Sequence, residues 1–192
     1  LPIQMVVRPD LDFRGFAGTV ASGVLRPGDG VVALPSGMRS TVARIVTFDG
    51  DLEVAGPGRA VTVTLVDEID VSRGDLLVGV DQVPTRAHDV DAMLVWMAAE
   101  ELEPGRQYLL QSAGGISNAS ITSIRHRVDV DTLEERQAVS LGLNDVARCA
   151  VSCDREMLFD SYGENRRTGS FILVDRMSNA TVGAGMVIGA SS

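Results

Sequence analysis

Lysine is missing from this sequence: all seventeen positive side chains are arginines. A Schiff-base lysine and the lysine of a phosphate-binding loop are therefore excluded from these 192 residues. Cysteine is nearly missing, with only Cys149 and Cys153. They stand four apart in a stretch that reads as a strand, which sets their α-carbons ~13 Å apart at ~3.3 Å per residue. That is too far for a disulfide between them, and no further cysteine exists to complete a metal site. Both are expected to be reduced and buried. No apolar run reaches the ~18 residues of a membrane helix. The stretch Leu1-Pro2-Ile3-Gln4-Met5 lacks the charged-then-apolar pattern of an export signal. A cytoplasmic protein with no membrane partner is expected. The first residue is not methionine, so the sequence reads as a piece of a longer chain. Basic charge is also scarce. The net charge is −9, and the local positive clusters are small: Arg125-His126-Arg127 and Arg166-Arg167. That balance argues against a nucleic-acid partner.

What is present is short apolar alternation, densely punctuated by turns. Val61, Val63 and Leu65 are expected to point inward and Thr62 and Thr64 outward. Val42, Val46 and Phe48 share a face with Arg44. Ile124, His126, Val128 and Val130 alternate with Arg125, Arg127 and Asp129. Phe171-Ile172-Leu173-Val174 reads as a strand buried on both faces. Turn signals recur at Arg26-Pro27-Gly28-Asp29, Pro35-Ser36-Gly37, Asp49-Gly50-Asp51, Gly56-Pro57-Gly58 and Glu103-Pro104-Gly105. Only Asp131–Gln137 reads as helical, with Asp131 or Thr132 as its cap. The polar stretch Asp81–Asp89 divides two halves of six or seven predicted strands each, and places His88 in a linker. An all-β fold of two consecutive small barrels is expected, one over residues 1–83 and one over 84–192. Closing each sheet removes its exposed edges.

The sequence is expected to hold no catalytic, cofactor-binding or metal-binding residue. Gly15-Phe16-Ala17-Gly18 and Gly183-Ala184-Gly185 lack the lysine of a phosphate loop and precede no predicted helix, so they read as close backbone approaches in strands. His126 reads as a core or rim histidine. The carboxylates Asp10, Asp12, Asp67, Glu68 and Asp70 lie in loop-like contexts without an apolar pocket to raise a pKa. Asp12 with Arg14, or Asp70 with Arg73, are the local ion pairs on offer, worth little at a surface. Trp96 reads as a packing residue. Ser22, Ser36, Ser72 and Ser112 sit in no nucleophile elbow. No nucleophile, base and orienting group can be assembled.

The order of the punctuation is informative. Gly18-x-Val20-x-Ser22-Gly23, Pro27-Gly28-Asp29-x-Val31, Leu34-Pro35-Ser36-Gly37 and Arg73-Gly74-Asp75-x-Leu77 resemble the second domain of translation-type GTPases such as elongation factor Tu. Thr181–Val187 resembles the end of their third domain. Further stretches are similar to the large, GTP-binding subunit of bacterial ATP sulfurylase: Leu11–Gly18, Val42–Asp51, Asp67–Asp75, Leu143-Asn144-Asp145, Asp160-Ser161-Tyr162 and Asn165–Arg176. This resemblance implies two β-barrels that follow a GTP-binding domain. It implies GTP and Mg²⁺ bound by that preceding domain, which has no matching positions here. It also implies a smaller catalytic subunit as partner, which joins sulfate to the adenylyl group of ATP, and in some bacteria a fused adenosine 5′-phosphosulfate kinase domain. The barrels would then couple GTP hydrolysis to formation of adenosine 5′-phosphosulfate. Two other readings stand beside it: barrels of a translation factor that contact aminoacyl-tRNA, and an unrelated catalytic β-barrel.

Overall fold

Period-two alternation between closely spaced turns leaves the chain few ways to bury its apolar faces except by curling sheets onto themselves. The computed structural model describes residues 1–10 and 12–191; Leu11, within the stretch Leu11–Gly18 named above, and Ser192 lie outside the described residues. Among the described residues the chain forms fourteen strands and no helix. It divides into two compact units, Leu1–Val83 and Pro84–Ser192.

Unit 1 contains β1 (Ile3–Val7), β2 (Gly15–Thr19), β3 (Gly30–Leu34), β4 (Arg39–Thr47), β5 (Gly50–Asp51), β6 (Ala60–Leu65) and β7 (Leu76–Gly79). Their order is β1-β2-β6-β4-β3-β7, with β5 hairpinned onto β4. The ring closes where Pro2 meets Leu76 in an antiparallel bridge. There the Ile3 N–H donates to the Asp75 carbonyl (2.8 Å) and the Leu77 N–H to the Leu1 carbonyl (2.9 Å). Phe16, Val31, Ala33, Val42, Ile45, Val61 and Val63 fill the interior. Val61 and Val63 point inward as their alternation requires. In β4 the alternation breaks. The pairing with β6 shifts register between Val42 and Arg44, so Val42 and Ile45 are both buried. The bulge reverses the faces, and Phe48 ends fully exposed instead of sharing a buried face with Val42.

Unit 2 contains β8 (Thr85–Trp96), β9 (Gln107–Ser112), β10 (Gly115–Val128), β11 (Glu135–Arg136), β12 (Val146–Phe159), β13 (Ser170–Val174) and β14 (Thr181–Ala190). The order is β11-β10-β12-β8-β14-β13-β9, and a β9–β10 pairing closes the ring. Its core includes Leu94, Trp96, Tyr108, Leu110, Ile121, Leu141, Phe159 and Leu173. Trp96 and Tyr108 meet edge to face, with ring centroids 5.7 Å apart at 73°, and the Trp96 indole N–H donates to the Glu100 carbonyl at 2.7 Å. The registers sort the loops by end. Residues 97–106, 129–145 and 175–180 cross over at the end where β8 finishes. The turn at 113–114 and the start of β8 lie at the other.

Three expectations are corrected. Residues 131–137 are no helix: the Asp129 carboxylate accepts the N–H groups of Asp131 and Thr132, both at 3.1 Å. The turn so formed puts Leu133 at φ 60° and returns Glu135-Arg136 to pair with Arg127-Val128. Val130 lies in this turn and is exposed. Phe171–Val174 is buried on one face only: Phe171 and Leu173 point in, while Ile172 and Val174 are half-exposed. His88 belongs to β8 rather than to a linker.

Candidate functional site

The groups with chemical potential are spread across both units, each absorbed into local structure. Cys149 and Cys153 are free thiols on β12 that point into the core of unit 2. Burial pushes the Cys149 thiol up to about 12 and the Cys153 thiol to about 11, which disfavours the thiolate form of both. His88 makes a 3.2 Å hydrogen bond with the Cys153 carbonyl. His126 sits 3.4 Å from Glu135 at the strand edge. Among the described residues no group of three or more His, Cys, Asp or Glu is arranged to hold a metal ion, and no helix is long and apolar enough to cross a membrane.

The loop carboxylates serve as fasteners. Asp10 accepts the N–H groups of Asp12 and Phe13. Asp67 accepts the Ser40 hydroxyl at 2.9 Å while its own N–H donates back to that oxygen. Asp70 lies 3.6 Å from Arg14. That pair crosses the fold, and it replaces the sequence-local pairs Asp12–Arg14 and Asp70–Arg73.

The two glycine-bearing stretches lie within paired strands. Gly15–Gly18 lies in β2, paired on both sides with β1 and β6. Gly183–Gly185 lies in β14, where Gly185 faces the Phe171 ring. Both are strand residues whose missing side chains admit packing.

Each unit carries an open hollow on its outer wall. In unit 1 it measures about 590 Å³, and Val7, Pro9, Phe13, Val46 and Phe48 line it with Gln4 and Asp10 at its polar points. In unit 2 it measures about 640 Å³. Val95, Ile172, Ala184 and Met186 form an apolar floor, and Tyr162, Arg166 and Arg167 form a wall. That wall is well built. The Asp160 carboxylate accepts from Thr168 (2.6 Å) and Asn165 (3.1 Å), and the Tyr162 N–H donates to the Val187 carbonyl. A Cβ on Gly169 would lie 2.6 Å from the Tyr162 backbone, so only glycine lets the loop close on itself. The Arg166 guanidinium rests over the Tyr162 ring, 5.8 Å from its centroid. Neither Arg166 nor Arg167 has a carboxylate within ion-pair distance among the described residues. In a chain of net charge −9, this is a surface suited to an acidic or phosphate-bearing contact. The arginines are visible in the sequence as a small basic cluster. The floor is not, because it is assembled from β8, β13 and β14.

A family model described as GTP-eEF1A C-terminal domain-like matches residues 89–188. The chain is similar to sulfate adenylyltransferase subunit 1 of Aeromonas hydrophila, at 54% identity over 188 residues that cover 98% of this chain and 40% of that protein. It is similar to the protein of the same name from Teredinibacter turnerae, at 52% identity over 97% of this chain and 40% of that protein. The chain thus spans 40% of the length of these curated relatives. Among solved structures it resembles sup35 complexed with GDP, with a TM-score of 0.87 at 16% identity over 100% of this chain and 47% of that one. That likeness concerns the fold, two barrels of the translation-factor type. Both resemblances read from the ordered motifs are found again here. With the family match covering more than half of its residues, the chain belongs to the GTP-eEF1A C-terminal domain-like family.

Proposed function

We propose that this chain is the two-barrel, non-catalytic part of the GTP-binding subunit of a sulfate adenylyltransferase. The observation that carries the reading is the 54% identity, spread over 98% of the chain, to proteins named as subunit 1 of that enzyme. In the assembled enzyme a smaller subunit transfers the adenylyl group of ATP to sulfate, which releases pyrophosphate and forms adenosine 5′-phosphosulfate. GTP and Mg²⁺ bind a further domain of the parent protein, and in some relatives a kinase domain for the product follows on the same chain. The barrels relay the nucleotide state. For hydrolysis to drive adenylyl transfer, the GTP and GDP forms must contact the barrels differently. Rigid closed barrels suit this role, because they move as bodies and transmit a shift without absorbing it.

The test is pyrophosphate release by the full-length protein with its partner subunit. Hydrolysable GTP is expected to raise the rate and a non-hydrolysable analogue is not. The 192-residue chain by itself is expected to show neither GTPase nor adenylyltransferase turnover. Turnover by that chain alone, or indifference of the complex to GTP, overturns the reading. The fold also suits a factor that contacts aminoacyl-tRNA. The acidic balance opposes that reading, and tight, steeply salt-dependent filter binding to tRNA would favour it.

A further inference from the structure

The end of unit 2 where residues 97–106, 129–145 and 175–180 cross over concentrates exposed apolar side chains. Of the eight large apolar residues exposed in unit 2 among the described residues, six lie on these loops: Met97, Val130, Leu133, Val139, Leu143 and Met177. Three are nearly bare, with Leu133 at 76%, Val139 at 89% and Met177 at 90% exposure. Scattered single apolar residues need no explanation, but their gathering on one end does.

The loops that carry them are held in place. The Trp96 N–H donates to the Asp145 carbonyl and the Asn144 N–H to the Trp96 carbonyl, which fixes Leu143 beside Met97. Leu102 and Leu141 form a bridge beneath them, both fully buried. Asp175 pairs with Arg106 and accepts the N–H groups of Met177 and Ser178, so the loop bearing Met177 is tied to the loop before β9. Leu133 is held outward at φ 60° by the Asp129 turn. A leucine in that backbone region carries strain, of the kind that persists where a side chain is wanted in a particular place. A surface already ordered loses little entropy on binding.

Charge selects the occupant. The three loops carry nine carboxylates and three arginines. That balance repels nucleic acid, and it repels a second copy of the same end. It matches a protein surface with apolar side chains ringed by arginine or lysine, the arrangement of an interface with an apolar centre and a charged rim. Within unit 2, β8 begins at Thr85, at the opposite end from these loops.

We infer that this acidic, apolar-tipped end of unit 2 is the surface on which the partner subunit docks. The inference rests on the proposal above that a partner subunit exists.

The experiment uses the full-length protein and its partner subunit, with affinity read by calorimetry and loop protection by hydrogen exchange. Val139→Asp is expected to weaken binding at least about tenfold. Leu133→Gly is expected to do the same while leaving the melting temperature unchanged or raised, because glycine accepts φ 60° without strain. Ile116→Asp, at the opposite end, is expected to stay within about twofold of the parent, the size expected of an exposed position outside the contact. Wild-type affinity should fall as salt is raised, and the three loops should become protected only when the partner is added. Wild-type binding with Val139→Asp and Leu133→Gly unaffected overturns the docking surface and leaves the two-subunit reading standing. A wild-type chain that does not bind the partner overturns both. Protection of the loops in the full-length protein alone, or self-association that Val139→Asp abolishes, also overturns the inference, since another occupant then covers the end.

Discussion

Gly185 of β14 lies directly opposite Phe171 of β13, so close that a Cβ on Gly185 would sit 2.1 Å from the ring. The ring is buried in the core of unit 2. Gly185→Ala is therefore expected to destabilise unit 2 by about 1–3 kcal/mol through overpacking. Urea unfolding followed by the fluorescence of Trp96, the only tryptophan, measures it. An unchanged midpoint would contradict the close approach.

Tyr108 supplies the reverse case. Its ring packs against Trp96, but its hydroxyl is buried without a hydrogen-bond partner among the described residues. Burial raises its pKa. Tyr108→Phe keeps the ring contact and removes the unsatisfied group, so stability is expected to hold or rise by up to about 1 kcal/mol. A loss of more than about 2 kcal/mol in the same urea assay would show that the hydroxyl has a partner.

Asp175 is expected to make stability pH-dependent. The Ser178 N–H and hydroxyl, the Met177 N–H and the Arg106 guanidinium hold its carboxyl down to about 2. A carboxylate with a lowered folded pKa stabilises fully above its unfolded pKa of about 3.9, and loses that contribution as pH falls through the folded value. Asp175→Asn is expected to melt below the parent at neutral pH. The gap should close as pH falls from about 4 toward about 2. Thermal melts across that window check it, and a gap of constant size would exclude the linkage.

The cysteines predict reactivity. With thiols pushed up to about 12 and about 11 inside the core, alkylation of Cys149 and Cys153 should proceed only as fast as unit 2 opens. Labelling followed by mass spectrometry should accelerate in step with added denaturant. Rapid labelling of either residue in the native protein would refute its placement.

Much of this was legible in the residues because strands write their faces in alternation. Val61, Thr62 and Val63 needed no partner to show which side is inside. The failures have local physical causes. At Val42–Arg44 one extra residue inverts the faces, and period-two counting has no means of sensing an insertion. Asp131–Gln137 has the composition of a helix, but Asp129 takes the first two N–H groups into a turn before a helix can begin. The pairing of Arg14 with Asp70, and the floor beneath Arg166 and Arg167, depend on strands far apart in the chain. The apolar tips of unit 2 look like core residues in sequence, and only the registers reveal that their loops leave them outside.

The seam of unit 1 also bears on how the chain is made. Asp75 and Leu77 must be present before Ile3 and Leu1 can find their carbonyl and amide partners. During synthesis β1 leaves the ribosome before the rest of unit 1, so its outer edge stays unpaired until nearly the whole unit has followed. Closure of so long a loop comes late and slowly. When it comes it pairs two exposed edges with each other, and an unpaired edge is the part of a sheet most open to joining another chain.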